Sequence, residues 1–195
     1  MIEKEDHLRP ETKEYLNRIQ KTTIRMQDLI NDLLLFSKAS IQKESFVKVD
    51  LNAILIKVTT DLKVLLKESA ASIHVDLLPT ISGSPTQMDQ LFNNLVSNAI
   101  KFHESGKPPN IDIVSRLNNQ NNWEISVTDQ GIGFKEKFKE RIFRPFERLH
   151  GRNEYEGTGM GLAICQKIAT NHAATIQAKS QPGQGSCFAV IIPQN

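Results

Sequence analysis

Three glycines at alternate positions, Gly157, Gly159 and Gly161, lead directly into an apolar segment with helical spacing in the stretch GTGMGLAICQKIA. Glycine loses more conformational entropy on folding than alanine, by roughly 0.5–1 kcal/mol per residue, so a run of glycines before a helix needs a physical reason. A helix N-terminus carries unpaired N–H groups and a partial positive charge, and bare backbone lets an anion approach them. The run therefore predicts contact with phosphate; a flexible hinge is the alternative. Its spacing matches neither the dinucleotide fingerprint nor a P-loop.

The hydrophobic periodicity predicts a long N-terminal helix that begins near Pro10. Its apolar positions follow alternating steps of three and four residues, which is a heptad seam. The seam consists of Leu16, Ile19, Thr23, Met26, Ile30 and Leu33. Neighbouring leucines widen this stripe, so the pattern favours a helix packed into a bundle. A helix lying on its own domain is the alternative.

The rest of the chain alternates between helical and strand-like patterns, with helices expected from Leu51 and from Pro85. The stretch ESFVKVDLN indicates a short strand or a linker. Segments with the alternation of a strand follow at five places: SIHVDL, IDIVSRL, WEISVTD, ATIQAKS and SCFAVIIP. We expect the last two to form a hairpin around QPGQG. The order predicts helices combined with a mostly antiparallel sheet.

Composition excludes several classes of protein. The net charge of +2 on 195 residues is too small to indicate a nucleic-acid partner, and no apolar run approaches the ~18 residues of a membrane span. The charged N-terminus does not resemble a signal peptide. Cys165 and Cys187 lack metal-ligand spacing, so we interpret them as reduced core residues. We expect a cytoplasmic location, with any membrane tether of the full-length protein lying upstream.

Two further clusters combine polar groups with apolar neighbours. Asp129 ends a predicted strand in VTDQGIGF, where its carboxylate can accept a hydrogen bond from an exocyclic amine; an ordinary Asp-x-Gly turn is the alternative. In NNLVSNAIKF, Asn94, Asn98 and Lys101 share one helix face. Amide oxygens suit Mg²⁺ and an ammonium suits phosphate, whereas a solvated helix face is the alternative.

The segment from Lys135 to Arg152 is basic, with seven Lys or Arg against three Glu. A long positive loop between two glycine motifs predicts a lid over an anion. Phe143 and Phe146 are candidate apolar anchors for this lid. A solvated basic loop is the alternative.

Taken in order, these clusters resemble the N, G1, F and G2 boxes of the ATP-binding domain of sensor histidine kinases, carried here by NNLVSNAIKF, VTDQGIGF, RIFRPFERLH and GTGMGLAI. The helix RMQDLINDLLLFSK resembles the second helix of that family's dimerisation and phosphotransfer hairpin. The resemblance implies residues 1–44 as a partial hairpin and 45–195 as the catalytic domain. It also implies an α+β fold of the Bergerat type, a two-layer α/β sandwich with a mixed sheet and helices on one face.

The resemblance also assigns roles within an ATP and Mg²⁺ site. Asp129 would bind the adenine amine in a pocket shaped by Gly131 and Gly133, with Phe102 on the adenine side. Asn98 would hold Mg²⁺, with Asn94 beside the phosphates or the metal. Lys101 would contact phosphate, and Arg148 would lie near the terminal phosphates. The glycine stretch would surround the phosphates with Gly157, Thr158, Gly159, Met160, Gly161 and Leu162.

The function implied is transfer of the ATP γ-phosphoryl to a histidine, for relay to an aspartate of a response regulator, in a protein that is a homodimer when full length. The helix that carries the family's phosphoacceptor is not evident here, and His7 fits that pattern poorly because its acidic neighbour precedes it and Pro10 follows too early. Two other functions remain open. A related ATPase would need a glutamate in the N-box helix before Asn98, and a non-catalytic interaction module would keep the fold alone.

Overall fold

The computed structural model describes residues 9–41, 45–149, 151, 154–155 and 157–194. The α-helices among these residues are α1 (Pro10–Ile41), α2 (Leu51–Asp61), α3 (Lys63–Glu68), α4 (Pro85–Lys101) and α5 (Gly161–Asn171). The strands are β1 (Val47–Asp50), β2 (Ser72–Val75), β3 (Thr80–Gly83), β4 (Asn110–Leu117), β5 (Trp123–Asp129), β6 (Thr175–Ser180) and β7 (Ser186–Ile192). His7 lies outside the described residues.

The main sheet is mixed and has five strands in the order β2-β4-β5-β7-β6. β2 pairs with β4 in parallel, whereas the other neighbours are antiparallel. β1 and β3 form a separate antiparallel pair. The expected hairpin of β6 and β7 and the expected mostly antiparallel sheet are confirmed.

One face of the main sheet is covered by helices, because alternate side chains of its strands are buried. Ile113 on β4 and Val127 on β5 lie opposite each other, and Val127 lies opposite Phe188 on β7. The apolar face of α4 packs over this layer through Leu91 and Leu95, which are both fully buried. The result is the predicted α+β sandwich, with α4 and α5 side by side above the sheet.

Two details of secondary structure differ from the prediction. The helix expected from Leu51 is interrupted at Leu62, where α2 ends and α3 begins, because Leu62 is not helical (φ −87°, ψ 6°). The strand β3 is an addition to the predicted elements, since TISG is short and carries a single apolar side chain, Ile81, that packs inward. Its pairing with β1 gives the ESFVKVDLN segment its strand character.

The long helix α1 forms as predicted, and its heptad seam is largely exposed. Ile19 and Met26, for example, are 63% and 59% exposed. The C-terminal part of α1 lies against α5, where Phe36 packs on the core and Asn171 Nδ2 donates to the carbonyl of Ala39 at 2.6 Å. A helix lying on its own domain, the alternative drawn from the sequence, therefore describes this C-terminal part, and the packing of the exposed seam into a bundle stays a prediction. Within the described ranges, no helix is both long and apolar enough to cross a membrane.

A buried histidine ties α5 to the start of α4. His172 Nε2 accepts a hydrogen bond from the amide of Ser84 at 3.0 Å, and its ring stacks on Phe46 at 4.6 Å. Ser84 in turn caps α4 by accepting from the amide of Gln87. Among the cysteines, which are both free thiols, Cys165 is buried as expected and Cys187 is half-buried.

We expect Leu91→Ala to lower the free energy of unfolding by about 2–5 kcal/mol, because it leaves a cavity beneath α4. Ile56→Ala is the matched control, since Ile56 is 68% exposed and its truncation changes stability by only about 0.5 kcal/mol. Urea unfolding with an unchanged m-value measures both. Equal effects of the two substitutions would contradict the central position of α4 in the core.

Candidate functional site

A cavity of about 750 Å³ opens where α4, the end of β5 and the N-terminus of α5 meet. Most of the residues singled out in the sequence line it: Asn94, Asn98, Lys101, Phe102, Asp129, Gly133, Arg148, Gly157, Thr158, Gly159, Gly161 and Leu162. Gly131 and Met160, which were also singled out, do not line the cavity, and both are buried. The tertiary structure thus brings four separated sequence clusters to one place.

Asp129 is the buried carboxylate of the cavity, with 5% of its surface exposed. Its Oδ1 accepts from the amides of Gly131 at 2.8 Å and Ser186 at 3.2 Å. Among the described residues no hydrogen bond reaches Oδ2, which leaves this oxygen for a ligand. Burial raises the pKa of Asp129 to about 6, although the two amides act in the opposite direction.

The loop after Asp129 lies directly against the C-terminal end of α4. The amide of Ile132 donates to the carbonyl of Phe102 at 2.9 Å, and a Cβ on Gly131 would lie 2.2 Å from that oxygen. A side chain at Gly131 is therefore sterically excluded. This contact sets the distance between Asp129 and the polar face of α4.

The polar face of α4 points into the cavity beside the glycine stretch. Asn94 Nδ2 donates to the carbonyl of Gly161 at 3.2 Å, and its Oδ1 accepts from Gln90. Lys101 Nζ lies 4.2 Å from the centre of the Phe102 ring. The Asn98 side chain makes no hydrogen bond within the described part of the chain, and it faces the cavity.

The glycine stretch is constrained by protein as well as open to a ligand. Gly159 has a φ of +81°, and a Cβ there would lie 2.9 Å from the carbonyl of Glu147. A Cβ at Gly161, by contrast, would have Asn94 as its nearest neighbour at 3.7 Å, which is an ordinary contact. Close packing within the loop therefore accounts for Gly159, whereas Gly161 leaves room at the start of α5.

The lid is held by polar and aromatic contacts. The Arg148 guanidinium donates to the carbonyls of Gly157, at 2.7 Å, and Tyr155. The Tyr155 ring lies 5.1 Å from the Phe102 ring, so the segment that Arg148 contacts also packs against the end of α4. Of the two proposed anchors, Phe143 is buried and Phe146 is 57% exposed, so the prediction is correct for Phe143 alone.

Some residues of the site are not predicted by the sequence. Ser186 reaches Asp129 only because β7 pairs with β5 in a register that places the two opposite each other. Asp28 and Asp32 of α1 also line the cavity, and the Thr158 hydroxyl donates to Asp32 Oδ2. Their spacing of four residues puts both carboxylates on one helix face, but no sequence signal places α1 beside α5.

Comparison with known proteins agrees with this geometry. Residues 83–195 match the family described as histidine kinase-, DNA gyrase B-, and HSP90-like ATPase, and residues 1–40 match the His Kinase A (phospho-acceptor) domain. Cyanobacterial phytochrome A from Nostoc sp. is 42% identical over 97% of this chain and 24% of its own length. The histidine-protein kinase BarA from Escherichia coli is 34% identical over 93% of this chain and 21% of its own length.

The solved structures that resemble this chain include histidine kinases. Full-length ShkA in complex with AMPPNP has a TM-score of 0.75 at 25% identity, over 95% of this chain and 39% of its own. The histidine kinase ThkA in complex with the response regulator TrrA has a TM-score of 0.70 at 26% identity, over 97% of this chain and 54% of its own.

The chain spans about a quarter of the length of the curated relatives that it matches. The fold, the lining of the cavity and the similar proteins all indicate the same family, and the family model matches more than half of the residues. The chain belongs to the histidine kinase-, DNA gyrase B- and HSP90-like ATPase family, as the catalytic ATP-binding domain of a sensor histidine kinase.

Proposed function

We propose that the cavity binds ATP with Mg²⁺ and transfers the γ-phosphoryl group to a histidine of a phosphoacceptor helix. One observation carries this proposal: a buried carboxylate, Asp129, and the glycine-flanked N-terminus of α5 line the same cavity. The first can recognise a base and the second can receive phosphates. The complex of the related ShkA with AMPPNP supports the proposal.

The adenine would lie at the Asp129 end of the cavity. Asp129 Oδ2 would accept a hydrogen bond from the exocyclic amine, while the apolar walls Ile132, Phe134 and Phe102 would enclose the ring. A guanine presents a carbonyl oxygen where adenine presents the amine, so it would leave the carboxylate unpaired. Such a mismatch in a dry pocket discriminates strongly.

The phosphates would lie along the glycine stretch at the start of α5. This part of the cavity is lined by Lys101, Asn94 and the glycine stretch without Met160, that is, Gly157, Thr158, Gly159, Gly161 and Leu162. In the present arrangement Arg148 of the lid donates to the carbonyls of Tyr155 and Gly157, so a contact with the terminal phosphates would require its guanidinium to exchange partners. The cationic groups would neutralise charge that develops during transfer.

The residues present fit a magnesium ion that is shared with the nucleotide. Asn98 offers an amide oxygen facing the cavity, and Mg²⁺ commonly takes few protein ligands together with water and substrate phosphates. The described residues contain no cluster of three or more His, Cys, Asp or Glu that could hold a metal without the nucleotide. When bound, the ion would neutralise phosphate charge and orient the terminal phosphoryl group.

The reaction needs positioning more than a protein nucleophile within this domain. The lone pair of a neutral imidazole nitrogen attacks the γ-phosphorus, a nitrogen–phosphorus bond forms, and the bond to the β,γ-bridging oxygen breaks. ADP leaves with the electron pair, and the imidazole loses its other nitrogen-bound proton to solvent. The domain contributes alignment of the triphosphate and neutralisation of its charge.

The partners follow from the same proposal. Residues 1–44 would belong to the dimerisation and phosphotransfer hairpin, and 45–195 would form the catalytic domain. The exposed seam of α1 would join a helical bundle in a full-length homodimer, since residues such as Ile19 and Ile30 are uncovered. An aspartate of a response regulator would receive the phosphoryl group, as the complex of ThkA with TrrA suggests.

The proposal is tested by incubating the chain with γ-labelled Mg·ATP, alone and with a protein that carries the phosphoacceptor hairpin of its full-length form. We expect acid-labile, base-stable label on the hairpin histidine. Rapid phosphate release without an acceptor would indicate an ATPase, and failure to bind nucleotide would indicate a non-catalytic module. Label on the chain itself that disappears in His7→Gln would place the acceptor within the present sequence.

We expect Asp129→Asn to weaken ATP binding by at least about 100-fold. The amide that replaces the carboxylate is uncharged, and one of its two polar atoms is a donor, so it cannot offer acceptors both to the backbone amides and to adenine.

The same substitution should leave the fold intact and raise the free energy of unfolding at pH 7 by roughly 1–3 kcal/mol. Because the pKa of Asp129 is raised to about 6 in the folded state, the ionised carboxylate lowers the free energy of unfolding above that pH. This effect disappears as the pH falls below the pKa that the carboxyl has in the unfolded chain. Asp112→Asn on β4, outside the cavity, is the matched control. Calorimetric titration and urea unfolding measure both quantities, and undiminished affinity in Asp129→Asn would refute the adenine assignment.

The preference for ATP over GTP should depend on pH. Below about pH 6 Asp129 gains a proton and loses the charge that recognises the amine, so the affinity ratio falls as the pH decreases from 7 to 5. Because ATP and GTP carry the same phosphates, the effect of phosphate titration on affinity cancels in the ratio of the two affinities. A ratio that stays constant across this range would show that Asp129 does not select the base.

A further inference from the structure

Among the described residues, the C-terminal part of α1 contacts α5, the glycine stretch that precedes α5, and the core. Thr158 donates to Asp32, Asn171 donates to the carbonyl of Ala39 at 2.6 Å, and Phe36 packs against the core. The three residues of α1 span two helical turns, so they fix both the position and the rotation of the helix. The carboxylate of Asp32 is thereby held against the cavity wall.

Asp32 reaches the N-terminus of α5 through a single hydroxyl group. Thr158 Oγ1 accepts from the amide of Met160 at 3.2 Å, and Met160 is the N-cap residue of α5. That helix end attracts anions, because its first amides lack partners in the helix and its dipole is positive there. Asp32 therefore supplies a negative charge to the place where the proposed function expects a phosphate.

A second carboxylate adds to this charge. Asp28 lies one turn before Asp32 and also lines the cavity. A triphosphate carries more negative charge towards this end than a diphosphate, and like charges at short range in a partly desolvated cavity repel each other. The carboxylates of docked α1 therefore disfavour a terminal phosphate at the same end of the cavity.

We propose that Asp32 is a specificity-determining residue of the phosphate subsite. With α1 docked, its carboxylate stands at Thr158 in place of the terminal phosphate, so the site accepts ADP and disfavours ATP. Binding of ATP requires Asp32 to leave Thr158, which loosens α1 from α5. The inference rests on the proposed function, and it couples the nucleotide state to the position of the helix that belongs to the phosphotransfer hairpin.

The test compares the affinities of AMPPNP and ADP, with Mg²⁺ at low ionic strength, by calorimetric titration. We expect Asp32→Asn to bind AMPPNP about fivefold more tightly than the unaltered chain, while its ADP affinity changes less than about twofold. Raising the salt concentration should reduce this gain, because screening weakens the repulsion. Glu14→Gln removes the same charge from an exposed position on α1 and should change neither affinity.

A second variant separates docking from charge. Asn171→Ala removes the hydrogen bonds from the end of α5 to the carbonyl of Ala39 and to Gln87 Oε1, and it leaves every carboxylate in place. Because this substitution weakens the contact of α1 with α5, we expect it to raise the affinity for AMPPNP, as Asp32→Asn does, but by a smaller factor. Hydrogen exchange supplies a readout independent of affinity: AMPPNP should accelerate exchange in residues 29–39, whereas ADP should leave it unchanged.

The outcomes distinguish this inference from the proposed function. If the unaltered chain binds AMPPNP, and Asp32→Asn weakens that binding or shifts both nucleotides equally, Asp32 is a ligand or a structural residue and the inference fails alone. Exchange in residues 29–39 that ignores AMPPNP would overturn it as well. If the unaltered chain binds neither nucleotide, the nucleotide site itself is wrong.

Discussion

The burial of one face of α4 against the sheet is the interaction on which the rest of the structure depends. Leu91 and Leu95 are fully enclosed, which fixes the rotation of the helix about its axis. Since Asn94 and Asn98 occupy the adjacent face, this rotation alone turns both amides towards the cavity. The close contact of Gly131 with the end of α4 then sets how far Asp129 lies from them.

The two ends of the cavity differ in the kind of ligand group that they favour. At one end, burial makes the ionised form of Asp129 costly, and a hydrogen-bond donor on a ligand would offset that cost. At the other end, the start of α5 and Lys101 favour negative charge, and the carboxylate of Asp32 lies at that end through Thr158. A molecule with a donor-bearing ring and an anionic tail satisfies both ends at once.

The same helix, α1, presents two different surfaces. Its seam is uncovered along most of its length, as expected for a helix that pairs with others in a bundle. Its C-terminal part contacts α5 and the glycine stretch instead. A helix that touches both the phosphate end of the cavity and the prospective bundle is physically able to link the two.

The sequence by itself determined most of the secondary-structure elements and most of the residues that line the cavity. Periodicity located α1, α4 and the β6–β7 hairpin, and local spacing identified Asp129 and the glycine stretch, because these signals depend on neighbours within a few residues. Only the tertiary structure decided how distant segments meet. Packing, which no local pattern encodes, brings Ser186 to Asp129, Arg148 to the carbonyl of Gly157, and Asp32 to Thr158.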